Sequence, residues 1–110
     1  MDEQQLLVLI VPAQMKDDMV DALIANPDIS GFTLSSAAGY SREHSHFNLR
    51  EQVEGYRSFC RLEVLHRPGQ RAELFTALAG VCGGEALRYW VSPVVEQGHL
   101  GGERPGESGA

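Results

Sequence analysis

The sequence YRSFCRLEVLHR, residues 56–67, alternates apolar side chains with mixed ones along its whole length. Successive side chains of an extended strand point to opposite faces, so Cys60, Leu62 and Val64 share one apolar face. The opposite face mixes charged and apolar side chains: Arg57, Phe59, Arg61, Glu63 and Leu65. This stretch predicts a strand with one face in a core and a second face that only partly suits water.

Changes in hydrophobic period on either side of this strand predict the other elements. The continuous run at Leu6–Val11 is typical of a strand covered on both faces. Helical spacing predicts a first helix whose apolar side is formed by Met15, Met19, Val20, Leu23 and Ile24. The remaining predicted elements are a short strand in ISGFTLSS (29–36), a helix that opens at Pro68 and is capped by Gly83–Gly84, and a strand at Leu87–Val95 that Pro93 interrupts or ends.

The order of these elements predicts an α+β fold, the ferredoxin-like βαββαβ sandwich, with two helices on one face of a four-stranded antiparallel sheet. A polar stretch at residues 37–55 predicts a long loop between strands two and three. One face of the sheet stays open. Because an exposed half-apolar sheet face is unfavourable in water, we expect self-association to cover it.

Length and composition indicate one globular domain at residues 1–100 and a disordered C-terminal tail at 101–110, which is rich in Gly, Pro and charge. A net charge of −6 argues against nucleic acid as a partner. The longest apolar run is too short to span a bilayer, and the acidic N-terminus does not resemble a secretory signal. We expect a cytoplasmic protein without direct membrane insertion, whose Cys60 and Cys82 are reduced structural thiols rather than a disulfide or a soft-metal site.

The predicted loop contains EHSH, residues 43–46, which suggests a metal site. Two imidazoles at i and i+2 can converge on one ion, and a neighbouring carboxylate suits zinc, nickel, cobalt or copper. Glu43, His44 and His46 are the candidate ligands, and a solvated loop tip is the alternative. His66 and His99 could each add a donor, although both are interpreted as surface residues.

Three stretches carry a resemblance to a known family: GFTLSSAAGYSREHSHFNLREQVEGYR (31–57), CRLEVL (60–65) and LRYWVSPVVEQGHL (87–100). With them the sequence resembles the PII-like superfamily, and within it a small PII-like family of unassigned role that is often encoded beside heavy-metal efflux systems. The resemblance implies a homotrimer of ferredoxin-like subunits whose sheets pack around a central axis. It also implies a metal-efflux membrane protein as a partner.

In nucleotide-binding PII proteins, the long loop and a turn before strand four form clefts between subunits. The corresponding turn here, CGGEALRYW, keeps Gly83 and Gly84, whose backbone could approach a phosphate. It contains Glu85, lacks the lysine and threonine of nucleotide-binding members, and leaves Arg88 as the nearby cation. Arg42 and Arg57 could help to hold an anion, or could instead pair with carboxylates of the loop.

The leading hypothesis is therefore a PII-like trimeric signalling or sensor protein that binds a transition metal through its loop and regulates an efflux partner. A sensor of a nucleotide or other small anionic metabolite is one alternative. A protein-interaction module without a small ligand is another. The sequence has no phosphate-loop, paired-cysteine or dinucleotide-binding motif, and we expect no enzymatic activity.

Overall fold

The computed structural model describes residues 3–40 and 57–102. Its helices and strands follow the predicted order, with a short 3₁₀ turn before each helix. The elements are β1 (Gln4–Pro12), α1 (Lys16–Ile24), β2 (Phe32–Gly39), β3 (Arg57–His66), α2 (Arg71–Cys82) and β4 (Tyr89–Val94). The 3₁₀ turns are Ala13–Met15 and Pro68–Gln70.

The four strands form one antiparallel sheet in the order β2-β3-β1-β4. Both helices lie on one side of it, so the predicted ferredoxin-like sandwich is confirmed. The two longest strands, β1 and β3, occupy the centre. Val8 of β1 pairs with Glu63 of β3 on one side and with Trp90 of β4 on the other. We call the sheet face that carries these three side chains the open face.

The core lies between the other sheet face and the two helices. Cys60, Leu62 and Val64 of β3 are all buried there, which confirms the alternation predicted for this strand. The remaining buried apolar side chains come from β1, α1 and α2: Leu7, Leu9, Val11, Met19, Leu23, Leu74 and Leu78.

Two predictions about helix α1 and strand β2 are wrong in detail. Helical spacing predicts Ile24 on the core side of α1, but Ile24 is 69% exposed. Five residues beyond buried Met19, it is rotated by about 140° around the helix, away from the sheet. The loop predicted from residue 37 begins too early, because β2 continues to Gly39. The rest of that predicted loop, from residue 41, lies outside the described residues.

Pro93 does not interrupt β4, which runs through it to Val94. The Ile10 N–H donates to the Arg88 carbonyl at 3.0 Å, so Arg88 directs its backbone groups at β1. Neighbouring residues of a strand direct their backbone groups to opposite edges. Because Pro93 is five positions after Arg88, an odd number, the Pro93 nitrogen points to the outer edge of the sheet. A missing N–H removes no ladder hydrogen bond there, and it limits pairing of β4 with a further strand.

Gly39 is required by a close contact at the end of β2. A Cβ atom at this position would overlap the ring of Phe59, which belongs to the neighbouring strand β3. Gly31 precedes the same strand, and a Cβ there would meet nothing within 4 Å. An added methyl group would therefore clash at Gly39 and have free space at Gly31.

Within the residues described, no helix has the length and apolar character needed to cross a membrane.

Replacing Leu62 by alanine removes a fully buried side chain from the centre of the core. We expect the free energy of unfolding to fall by about 2–5 kcal/mol, because the site loses transfer free energy and keeps a cavity. Urea unfolding followed by circular dichroism measures this loss. The matched control is Leu100→Ala, whose side chain is fully exposed. Equal stability of the two variants would contradict this description of the core.

Replacing Gly39 by alanine forces the Phe59 ring to move. We expect a loss of about 1–3 kcal/mol in the free energy of unfolding, as for other overpacked sites. Gly31→Ala, measured in the same urea titration, has room for its methyl group and should be neutral or slightly stabilising. A Gly39→Ala variant as stable as Gly31→Ala would show that the ring does not lie over residue 39.

Candidate functional site

The two ends of the sheet carry different groups. Gly39 and Arg57 are cross-strand partners at one end, where the chain leaves β2 and enters β3. The turn between α2 and β4 reaches the same end, since Arg88 meets Ile10 near the end of β1. We call this the loop end, and the opposite end, where β3 stops at His66, the His66 end.

The predicted metal ligands Glu43, His44 and His46 lie outside the described residues, as does Arg42. In the chain they come between β2 and β3, whose adjoining termini are at the loop end. Residues 3–40 and 57–102 contain no group of three or more His, Cys, Asp or Glu side chains placed to hold a metal ion. The described part of one chain therefore offers no metal site of its own.

His66 is buried, and its interpretation as a surface residue is wrong. Only 1% of it is exposed, because it follows Val64 on the core face of β3. Its Nδ1 lies 2.9 Å from the Arg67 carbonyl oxygen, and since a carbonyl only accepts, Nδ1 donates. His66 stands about 30 Å along the strand from Arg57 at the loop end. It is thus a core residue at the opposite end of β3 from the loop end.

The buried surroundings of His66 include a second polar group. Gln5 of β1 is its cross-strand partner. Neither His66 Nε2 nor Gln5 Oε1 has a hydrogen-bond partner among the described residues. His99, in contrast, is exposed in the segment that follows β4.

The turn before β4 begins where α2 ends. Gly83 has a φ angle of 61°, a conformation that side chains with a Cβ rarely adopt, which confirms its prediction as the helix cap. The Glu85 N–H donates to the Cys82 carbonyl at 3.1 Å and closes the turn. Gly83 and Gly84 are both exposed on the helix side of the sheet.

Arg88 points away from these glycines. Its guanidinium carbon lies 5.5 Å from the centre of the Trp90 ring, and Trp90 belongs to the open face. The described structure therefore places Gly83 and Gly84 on one side of the sheet and the Arg88 guanidinium on the other. For Arg57, only the backbone at the start of β3 is described.

Trp90 is in contact with two guanidinium groups. That of Arg61, on β3, lies 5.4 Å from the ring centre, and its Nε is 3.3 Å from Glu63 Oε2. We call Arg61, Glu63, Arg88 and Trp90 the Trp90 cluster. Cation–π contacts at these distances hold the side chains across β3, β1 and β4.

Val8 lies beneath the Trp90 cluster and is 1% exposed, although it belongs to the open face. Its cross-strand partners Glu63 and Trp90 close over it from both sides. The open face is therefore not bare at its centre, where two guanidinium groups contact an indole ring and one of them pairs with a carboxylate.

The sequence pattern suggests Arg88 as an anion ligand but does not connect it with Trp90 or Arg61. One signal was available, because residues 88 and 90 are two apart and share a face of a strand. Their approach to Arg61 depends on the strand order, in which β1 separates β3 from β4.

A cavity of about 140 Å³ lies on the helix side, between α2 and the start of β4. Its wall is almost wholly apolar and includes Leu9, Leu78 and Tyr89, together with the thiol of Cys82. The Tyr89 ring packs edge-on against Phe75 with the ring centres 5.0 Å apart. The cavity thus lies beneath the turn that Gly83 opens.

Sheet order and helix placement give the chain a ferredoxin-like α+β fold of the PII-like type. The family model of DUF3240, described as a protein of unknown function, matches residues 1–101. The chain belongs to the DUF3240 family.

Solved structures agree with this assignment. A DUF3240 family protein from Shewanella baltica is 44% identical with a TM-score of 0.76, and the match covers 92% of this chain and 100% of that one. Arabidopsis thaliana PII bound to citrate has a TM-score of 0.65 at 14% identity, covering 84% of this chain and 78% of that one. A Bacillus cereus protein related to NIF3 has a TM-score of 0.67 at 16% identity, covering 89% and 27%. The last two show the fold alone.

No curated protein matches the sequence.

The Cys82 thiol is partly buried at the end of α2. Burial and, to a smaller extent, the neighbouring charge of Glu85 raise the pKa of Cys82, and its Sγ donates to the Leu78 carbonyl at 3.4 Å. A raised pKa leaves less thiolate at a given pH, so alkylation should accelerate as the pH rises through it. Glu85→Gln removes a negative charge and should increase the alkylation rate at pH 8 by roughly two- to threefold.

Mass spectrometry after timed reaction with iodoacetamide, with peptides mapped to each cysteine, measures that rate. The matched control is Glu73→Gln, in the first turn of α2, which should leave the rate unchanged. A Glu85→Gln variant that reacts as slowly as the wild type at every pH would contradict the electrostatic contribution.

Proposed function

We propose that this DUF3240 protein is a homotrimeric, non-enzymatic sensor of the PII-like type, which binds a transition metal through the segment between β2 and β3. The observation that carries the proposal is the one-sided packing of the sheet. Both helices cover the core face, whereas the open face presents half-buried apolar side chains between charged ones. A partner surface that covers this face would remove that apolar area from water.

A homotrimer built through the open faces supplies that cover. Leu6, Ile10, Phe59 and Leu65 are half-buried on this face, and Trp90 is 37% exposed. Closed rings of identical subunits bury such surfaces without leaving an open end. In this arrangement three loop ends lie in equivalent positions, which would allow their segments to share a ligand.

For the metal, the candidate ligands remain Glu43, His44 and His46. Imidazole and carboxylate donors suit zinc, nickel, cobalt and copper(II), which compete for the same ligand types. The position of these residues in the chain supports the proposal, since they follow a strand whose end is fixed by Gly39 and Phe59. A metal-efflux membrane protein would then recognise the metal-bound form of the segment between β2 and β3.

A small anionic metabolite is a second candidate ligand, with Arg88 as its main cation. Arg88 is exposed and pairs with no carboxylate among the described residues. Arabidopsis PII, which shares the fold, has been solved bound to the anion citrate. The exposure of Arg88 favours an anion over the third possibility, an interaction module without a small ligand.

Isothermal titration calorimetry with zinc, nickel, cobalt and copper tests the metal hypothesis directly. We expect the double variant His44→Ala/His46→Ala to bind the preferred metal at least tenfold more weakly, because two of three side-chain donors are lost. Glu96→Ala is the control, since it removes an exposed potential donor outside the segment. Equal affinities of wild type and double variant, or no binding of any metal, would contradict the proposal.

A further inference from the structure

The open face carries an excess of positive charge on a protein whose net charge is −6. Arg61 and Arg88 contribute two guanidinium groups to the Trp90 cluster, and Glu63 contributes one carboxylate. Glu63 pairs with Arg61, so Arg88 is left with the indole ring as its only neighbour in that cluster. Its guanidinium keeps donors that the face of an aromatic ring cannot satisfy.

The cluster is also arranged before any ligand arrives. The Trp90 ring rests on buried Val8, and both guanidinium groups lie about equally far from the ring centre. Two planar cations held on one ring lose little side-chain freedom when they accept an oxyanion, because stacking has already restricted them. Carboxylates and phosphates match the fork of donors that arginine presents.

We propose that the Trp90 cluster is a binding site for a small oxyanion, a carboxylate or phosphate group of a free ligand, held by Arg88 with support from Arg61. A guanidinium covered by protein without an anionic partner is strongly destabilised. Burial of the open face therefore requires an oxyanion at this position, and the oxyanion should favour assembly.

The site itself depends only on contacts within one chain, whereas its coupling to assembly rests on the proposed trimer. It specifies the second candidate ligand more closely, because it assigns that ligand to the open face with Arg61 and Trp90 rather than to Gly83 and Gly84.

Trp90 is the only tryptophan of the chain, so its fluorescence reports on this site directly. The wild-type protein is titrated with inorganic phosphate and, separately, with succinate, while chloride keeps the ionic strength constant. We expect a saturable change in Trp90 emission. Arg88→Gln should raise the anion concentration at half-saturation roughly tenfold or more, as expected for loss of a charge-assisted hydrogen bond. Glu63→Gln should lower this concentration, because Arg61 is released from its ion pair.

The matched control is Arg71→Gln, which removes an exposed arginine at the start of α2, on the helix side of the sheet. It should titrate as the wild type does, and circular dichroism verifies that every variant is folded. A wild type without a saturable response to either anion, or an Arg88→Gln variant with an unchanged midpoint, would overturn the proposal.

Repeating the titration over a wide range of protein concentrations separates the site from the trimer. A saturable response in a protein that stays monomeric would support the oxyanion site and count against the proposed assembly. If association alone changes the Trp90 emission and added anion has no further effect, the partner of Arg88 is a carboxylate of a second copy. That result would contradict a free ligand.

Discussion

Both helices pack on one face of the four-stranded sheet, and this one-sided packing determines which side chains enter the core and which lie on the open face. It buries Leu7 and Leu9 of β1 against α1 and α2, and it leaves the intervening residues of the same strand on the open face. A strand in the centre of such a sheet has to suit two environments at once. In β1 the run Leu6–Val11 is apolar throughout, which is costly for a strand that meets water on one side.

The side chains of the Trp90 cluster cover part of the apolar strand β1. Trp90 shields Val8 and is itself held by Arg61 and Arg88. The stems of long cationic side chains cover apolar surface while their heads stay hydrated. The consequence is a face with an apolar base and a cationic rim, which suits partners that bring both apolar area and an oxyanion. Self-association would cover the apolar base of this face, and anion binding would neutralise its cationic rim.

Much of the fold could be predicted because hydrophobic period depends on neighbours in sequence. The alternation around Leu62 and the cap at Gly83 were recognised from a few residues each. The errors arose where burial depends on distant elements. Ile24 follows the helical stripe but turns away from the sheet, and His66 continues the buried side of β3 although it borders a polar turn. The extension of β2 to Gly39 depends on its pairing with Arg57 of the neighbouring strand β3.

The site could be predicted less well for the same reason. Arg61 and Arg88 are 27 positions apart in the chain and meet Trp90 only because β1 separates their strands by a fixed distance. Local spacing can suggest a metal site such as EHSH, since its donors are adjacent in sequence, but it cannot reveal a cluster assembled across three strands. Glu43, His44 and His46 therefore remain a prediction from sequence.

Sedimentation equilibrium of the full chain at micromolar concentration, in a phosphate buffer, measures whether other copies of the chain cover the open face. We expect a particle with three times the 12.0 kDa mass of one chain. A particle of 12.0 kDa at every concentration would contradict it, since the open face would then stay exposed in solution.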